Sequence, residues 1–130
     1  MSEENVEIIR RADRAWQSGD LEQVMDLISD DLVTYRDEPD SATFHGREGF
    51  LEVTLDWIEG FDEWSVTTEE VVDAGDRVVA RIHQRARGEA SGVQLEEDWW
   101  FVYAVEDGKI VRVEMYRPRD KALEAAGLSE

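Results

Sequence analysis

The chain has 130 residues, no cysteine, two histidines and a formal net charge of −18. That length predicts one domain, residues 1–130, with one substantial core, while the lack of cysteine excludes disulfides and thiolate ligands and two histidines cannot build a histidine-rich metal site. So negative a chain is repelled at long range by duplex nucleic acid and by anionic membrane, which excludes both as partners.

Ser2 before Glu3 and Glu4 marks a helix start, and Ile8, Ile9, Ala12, Ala15 and Trp16 recur at helical spacing until Gly19. Asp20 caps a second, shorter helix with Leu21, Val24, Met25, Leu27 and Ile28 on its apolar side. Leu32 to Arg36 reads as a short strand, followed by a polar loop from Asp37 to Thr43 in which Pro39 and clustered acids oppose regular structure. Phe44-His45-Gly46 leads into a third helix that stops at Gly60, with His45 expected to support its start. Trp64 to Val72 alternates as a strand, and Ala74-Gly75-Asp76 turns the chain into three consecutive antiparallel strands between Arg77 and Arg117. Their hairpin turns are Gly88 to Gly92 and Asp107-Gly108, and Arg119 to Ala126 closes the chain as a short helix before Gly127. The longest apolar run, Trp99 to Val105, is too short to span a bilayer, so a soluble, cytoplasmic protein is expected.

Both faces of those three strands carry apolar and aromatic residues, whereas a sheet covered on one side by its own helices should be polar on the other. Closing the second hairpin at Asp107-Gly108 pairs Val105 with Ile110, and by extension Val102 with Val113 and Trp100 with Met115. Closing the first in the register that matches like with like pairs Val79 with Val102, Arg81 with Trp100, His83 with Asp98 and Arg85 with Glu96. One face then runs from a dry floor of Val79, Val102 and Val113 to a polar mouth of Arg81, His83 and Asp98, the wall expected for a pocket. The opposite face gathers Val78, Ala80, Ile82, Trp99, Phe101, Tyr103, Glu114 and Tyr116, too much apolar surface for a monomer, and is expected to form a homodimer interface. A slip of one residue in the first hairpin would exchange the faces of residues 77–87.

Four segments carry a family resemblance: Trp16-Gln17-Ser18-Gly19-Asp20-Leu21, Phe44-His45-Gly46-Arg47-Glu48-Gly49-Phe50, Asp73-Ala74-Gly75-Asp76-Arg77-Val78-Val79, and Asp107-Gly108-Lys109-Ile110-Val111 with Glu114 and Tyr116 beyond it. In this order the chain resembles the nuclear-transport-factor-2-like, or cystatin-like, α+β barrel, in its SnoaL-like and ketosteroid-isomerase-like branch. The resemblance implies a curved antiparallel sheet wrapped around N-terminal helices, a cone-shaped pocket between them, and dimerisation through the outer sheet face. It does not fix a reaction, because this fold hosts isomerases, cyclases, hydrolases, dehydratases and non-catalytic binders. Aligned from the shared Gly-Asp-Leu turn, the steroid isomerases' base falls on Arg36 and their helix-one tyrosine on Ala12, so two of three roles are missing. The oxyanion aspartate falls near Asp98.

His83 beside Asp98 is the sharpest candidate, since a carboxylate can orient an imidazole and raise its pKa for proton transfer. The same pair also reads as a cross-strand hydrogen bond near the sheet edge. Arg81 could stabilise an enolate oxygen or stack on Trp100, and Glu114 with Tyr116 reads as catalytic only if the faces are exchanged, otherwise as an interface network. Trp16, Tyr35, Trp57, Val79, Trp100, Val102, Val113 and Met115 are expected to line the pocket, with core packing as the alternative for Trp16, Tyr35 and Trp57. Asp37-Glu38-Pro39-Asp40 lacks the spacing of a calcium loop and reads as solvated. The expected function is cofactor-free proton transfer, isomerisation or aldol-type cyclisation, on a small hydrophobic molecule, with His83 as base, Asp98 as its orienter or an acid, and Arg81 as stabiliser. A non-catalytic ligand-binding or assembly domain is the alternative, and a water-activating hydrolase ranks below both.

Overall fold

A computed structural model describes residues 2–37, 41–59, 61, 63–88 and 94–128. The elements are α1 (Ser2–Gln17), α2 (Leu21–Asp26), β1 (Ile28–Arg36), β2 (Ala42–His45), α3 (Gly46–Ile58), β3 (Glu63–Asp73), β4 (Val78–Arg87), β5 (Gln94–Glu106), β6 (Lys109–Tyr116) and α4 (Arg119–Ala125). Among the described residues, no helix is long and apolar enough to cross a membrane.

Six strands form one sheet in the order β2-β1-β6-β5-β4-β3. The sheet is curved but open, with β2 and β3 as its edges, so the barrel implied by the resemblance is not closed. Nor is it wholly antiparallel, because β1 runs parallel to β6. Strand β1 starts at Ile28, earlier than the polar Ser29-Asp30-Asp31 stretch suggests, because Ile28 pairs with Ile110. Part of the expected loop is instead strand β2, whose backbone pairs along β1 from Val33–His45 to Arg36–Ala42. The Asp20 side chain caps α2 by accepting from the Gln23 amide, as expected. His45 makes no cap bond; the start of α3 is tied down by Arg47, which donates to the carbonyls of Met25 (3.2 Å) and Ile28 (2.9 Å) and pairs with Asp30. Asp107 and Gly108 both take positive φ, 52° and 75°, as a tight right-twisting hairpin turn requires. The expected turn at Gly88 to Gly92 falls largely on residues 89–93, which lie outside the described residues.

Register decides which residues share a face. Between β4 and β5 the observed pairs are the expected ones: Val79–Val102, Arg81–Trp100, His83–Asp98 and Arg85–Glu96. Between β5 and β6 the first pair, Val105–Ile110, is as expected, but the register then shifts so that Ala104 pairs with Arg112. The extra residue is Val111, a β-bulge. Beyond it Tyr103 faces Val113, Phe101 faces Met115, Val102 faces Glu114 and Trp100 faces Tyr116. A one-residue shift moves every later side chain to the other face, so Val113 and Met115 join Phe101 and Tyr103, and Glu114 and Tyr116 join Val102 and Trp100.

The helices lie on the Phe101 side. Ile9 and Ala15 of α1, Val24 of α2 and Val53 of α3 pack with Val78, Ala80, Ile82, Trp99, Phe101, Val113 and Met115 into the main core. Each fully buried Val, Ile, Met or Phe side chain there contributes about 1.5–3 kcal/mol. A smaller core on the outer face joins Val79, Trp100 and Val102 to Ala122, Leu123 and Ala126 of the C-terminal helical segment. The assignment of the two sheet faces is therefore reversed. Ile82, Trp99, Phe101 and Tyr103, expected at a dimer interface, turn inward against the helices, and the outer apolar patch at Val79, Trp100 and Val102 is covered by the chain's own α4.

Candidate functional site

Between α1 and the inner sheet face lies a part-open cavity of about 120 Å³. The apolar stripe of α1 lends it Ile9, Ala12 and Trp16, the sheet lends it Ile82, Phe101, Val113 and Met115, and Phe50 and Thr54 of α3 line it as well. Trp16 meets Trp64 of β3 edge to face, with ring centroids 5.9 Å apart and planes at 83°, a geometry favoured by the ring quadrupoles. Phe101 and Tyr103 form a second T-shaped pair at 6.1 Å.

Three polar groups interrupt this lining: Asp13 on α1, Thr68 on β3 and Tyr103 on β5. The Thr68 hydroxyl donates to Asp13 Oδ1 at 2.8 Å. The Tyr103 hydroxyl has no hydrogen-bond partner among the described residues, yet it is not one of the sealed unbonded atoms, of which Thr34 Oγ1 is the one found. Tyr103 is one of the residues that line the cavity. Burial, reinforced by the nearby negative charge of Asp13, pushes its pKa far above the ordinary phenol value, so it remains a hydrogen-bond donor at neutral pH. Thr54, by contrast, turns its hydroxyl back to the Phe50 carbonyl at 2.8 Å.

A hydrogen-bonded chain holds the Trp64 wall in place. The Trp64 indole N–H donates to Oε1 of Gln84 at 2.8 Å, and Gln84 Nε2 donates to Glu97 Oε1 at 2.8 Å. Glu97 also accepts from Trp99 Nε1 at 3.1 Å and pairs with Arg117 at 2.9 Å, whose guanidinium lies over the Trp99 ring. Gln84 is wholly buried, and a buried amide is stable there only because both of its ends are bonded.

The expected catalytic trio forms, but on the outer face, away from the cavity. His83 Nδ1 lies 2.7 Å from Asp98 Oδ1 and its Nε2 3.0 Å from Glu96 Oε1, while Arg81 reaches Asp98 at 3.4 Å. The bonds from Asp98 and then Glu96 raise the His83 pKa, and the bond from His83 lowers that of Asp98. Asp98 therefore does not supply the oxyanion position that the resemblance placed near it. The guanidinium over Trp100 belongs to Arg119, 5.5 Å from the ring centroid, rather than to Arg81.

Of the expected ligand residues, Trp16, Val113 and Met115 line the cavity. Val79, Trp100 and Val102 lie beneath α4. Tyr35 also stands on the outer face, 6.1 Å from the Tyr116 ring, and donates to Asp37 at 2.9 Å. The side chain of Trp57 lies outside the described residues. Glu114 and Tyr116 remain on the outer face, the Tyr116 hydroxyl donating to Glu114 at 2.6 Å. Sequence reasoning missed Asp13, Thr68 and Trp64, and it placed Tyr103 on the wrong side. One signal for Asp13 was present: it is the acid set within the Ile9, Ala12, Trp16 stripe of α1. Among the described residues no three His, Asp or Glu side chains converge as a metal site.

The SnoaL-like domain profile matches residues 9–113. No curated protein is significantly similar in sequence. Among solved structures, a Mesorhizobium loti protein provisionally designated a SnoaL-like polyketide cyclase is 25% identical, with a TM-score of 0.63 over 85% of this chain and 96% of its own. A loop-truncation variant of IdmH is 28% identical, with a TM-score of 0.68 over 84% of this chain and 88% of its own. TerC, co-crystallised with polyporic acid, shares the fold at 19% identity, with a TM-score of 0.74 over 95% and 98% of the two chains.

Proposed function

The chain belongs to the SnoaL-like domain family, and from the cavity it carries in that fold we propose that it binds a small, largely apolar organic molecule and catalyses cofactor-free proton transfer on it. The observation that carries this reading is that one apolar cavity is lined both by a carboxylate, Asp13, and by a tyrosine, Tyr103, whose hydroxyl has no hydrogen-bond partner among the described residues. Asp13 removes a proton from a carbon next to a carbonyl, and Tyr103 donates its O–H to the oxygen on which negative charge develops. Returning the proton to another carbon yields an isomer; attack of the enolate carbon on a second carbonyl within the same molecule forms the ring C–C bond and an alkoxide, which takes the proton back from Asp13. The provisionally designated polyketide cyclase, 25% identical, supports an organic metabolite as ligand. In this reading the homodimer contact uses the outer face beside α4, where Glu114 and Tyr116 stand, and sedimentation as a monomer at micromolar concentration overturns it.

The test is deuterium uptake beside the carbonyl of one-ring ketones such as cyclohexanone in D₂O, followed by NMR. Wild type should accelerate uptake, and Asp13→Asn should lose about 10²–10⁴-fold of that acceleration. Ligand binding with no accelerated uptake for any ketone leaves a non-catalytic binding domain.

A further inference from the structure

We propose that the cavity selects uncharged ring ketones and rejects carboxylates, a statement about ligand class that rests on the cavity being the ligand site. Its described lining contains one ionisable acid, Asp13, and no arginine, lysine or histidine. The arginines on the inner side of the sheet are engaged elsewhere, Arg117 with Glu97 at 2.9 Å and Arg36 over the Phe44 ring at 5.4 Å. An anion entering here loses its water, finds no cation, and meets the like charge of Asp13. The chain's net charge of −18 lowers the concentration of anions at the mouth as well. Size points the same way to a compact ligand: about 120 Å³ is slightly less than the ~150 Å³ apolar cavity known to admit benzene. One ring therefore fits within the walls of Trp16 and Trp64. The Thr68 and Thr54 hydroxyls of the lining already donate to Asp13 and to the Phe50 carbonyl, so Tyr103, whose hydroxyl has no partner among the described residues, is the donor left to receive a ketone oxygen.

Near-isosteric one-ring probes separate charge from shape: acetophenone against benzoate, and cyclohexyl methyl ketone against cyclohexanecarboxylate, each titrated into the full chain and followed by heteronuclear NMR. The neutral member of each pair should bind at least about 100-fold more tightly, as a like charge within a few ångströms in a partly desolvated site implies. Methyl benzoate, the uncharged ester, should bind like acetophenone, and Asp13→Asn should raise benzoate affinity about tenfold or more while leaving acetophenone binding within a few-fold. Equal affinities within each pair overturn the charge selection and leave the ligand-site reading intact. If no probe perturbs the resonances of Trp16, Trp64 or Tyr103, the ligand-site reading falls and this proposal falls with it.

Discussion

His83 Nδ1 and Asp98 Oδ1 meet at 2.7 Å on the outer face of the sheet, and the second nitrogen of the same imidazole rests on Glu96. Both ring nitrogens therefore point at carboxylates across the β4–β5 ladder, with Arg81 on the far oxygen of Asp98 and Arg85 on Glu96. An imidazolium donates to both acceptors; a neutral imidazole donates to one. The folded pKa of His83 is raised above its ordinary 6.5, so the stabilisation is complete below about 6.5 and fades as pH climbs through the folded value. Asp98 has its pKa lowered below 3.8, so its contribution is present above that value and is lost as pH falls through the lower folded one. The gap in melting temperature between wild type and His83→Gln should accordingly be wider at about pH 5.5 than at about pH 9. A gap that does not change with pH would show that the imidazole stays neutral.

Gln84 offers a test of the wall rather than of the chemistry. Gln84→Met keeps the volume but removes the acceptor of the Trp64 indole and one donor to Glu97. Taking that acceptor from the indole N–H, while Glu97 keeps Trp99 and Arg117, should cost about 1–3 kcal/mol in urea denaturation. In a Trp64→Phe background the same change should cost less, because the indole N–H is no longer there to strand. Identical costs in the two backgrounds would mean that Gln84 does not act on Trp64.

How much of this was legible in the sequence is clearest along β5. Its register with β4 was readable because chemically matched residues oppose each other at four alternate positions, from Val79–Val102 to Arg85–Glu96. The β5–β6 register was readable for one pair only, since the Val111 bulge is a backbone event with no turn residue to announce it. Which face met the helices was not readable either. Val79, Trp100 and Val102 are as apolar as Ile82, Phe101 and Tyr103, and the difference lies in where Ala122, Leu123 and Ala126 dock. The fold was legible because helix caps and glycine stops are local. The site was not, because it depends on the summed parity of three strands.

That dependence makes α4 a structural element rather than a tail. Leu123 is 5% exposed and packs in the cluster with Val79, Trp100 and Val102, while Lys121 ties the helix to Asp37 at 3.0 Å and Arg119 covers Trp100. Leu123→Ala should therefore destabilise the fold by about 2–5 kcal/mol, as measured from denaturant midpoints. A loss within a few tenths of a kcal/mol would mean that the helix lies on the sheet without contributing to its stability.

Tyr103 separates stability from chemistry within one side chain. Its ring packs on Phe101 with centroids 6.1 Å apart and lies, partly buried, against the main core, so truncating the ring would damage the fold. Its hydroxyl, bonded to nothing among the described residues, adds no such support. Tyr103→Phe leaves the ring in place and removes a hydroxyl that has no partner among the described residues, so stability should stay level within a few tenths of a kcal/mol or rise slightly. If that hydroxyl stabilises an enolate, ketone exchange should still fall by about 10²–10³-fold, the usual cost of removing one oxyanion donor. A variant that keeps wild-type exchange would remove Tyr103 from the mechanism and leave Asp13 to act with Thr68 alone. One that loses both activity and stability would mean that the hydroxyl has a partner inside the fold.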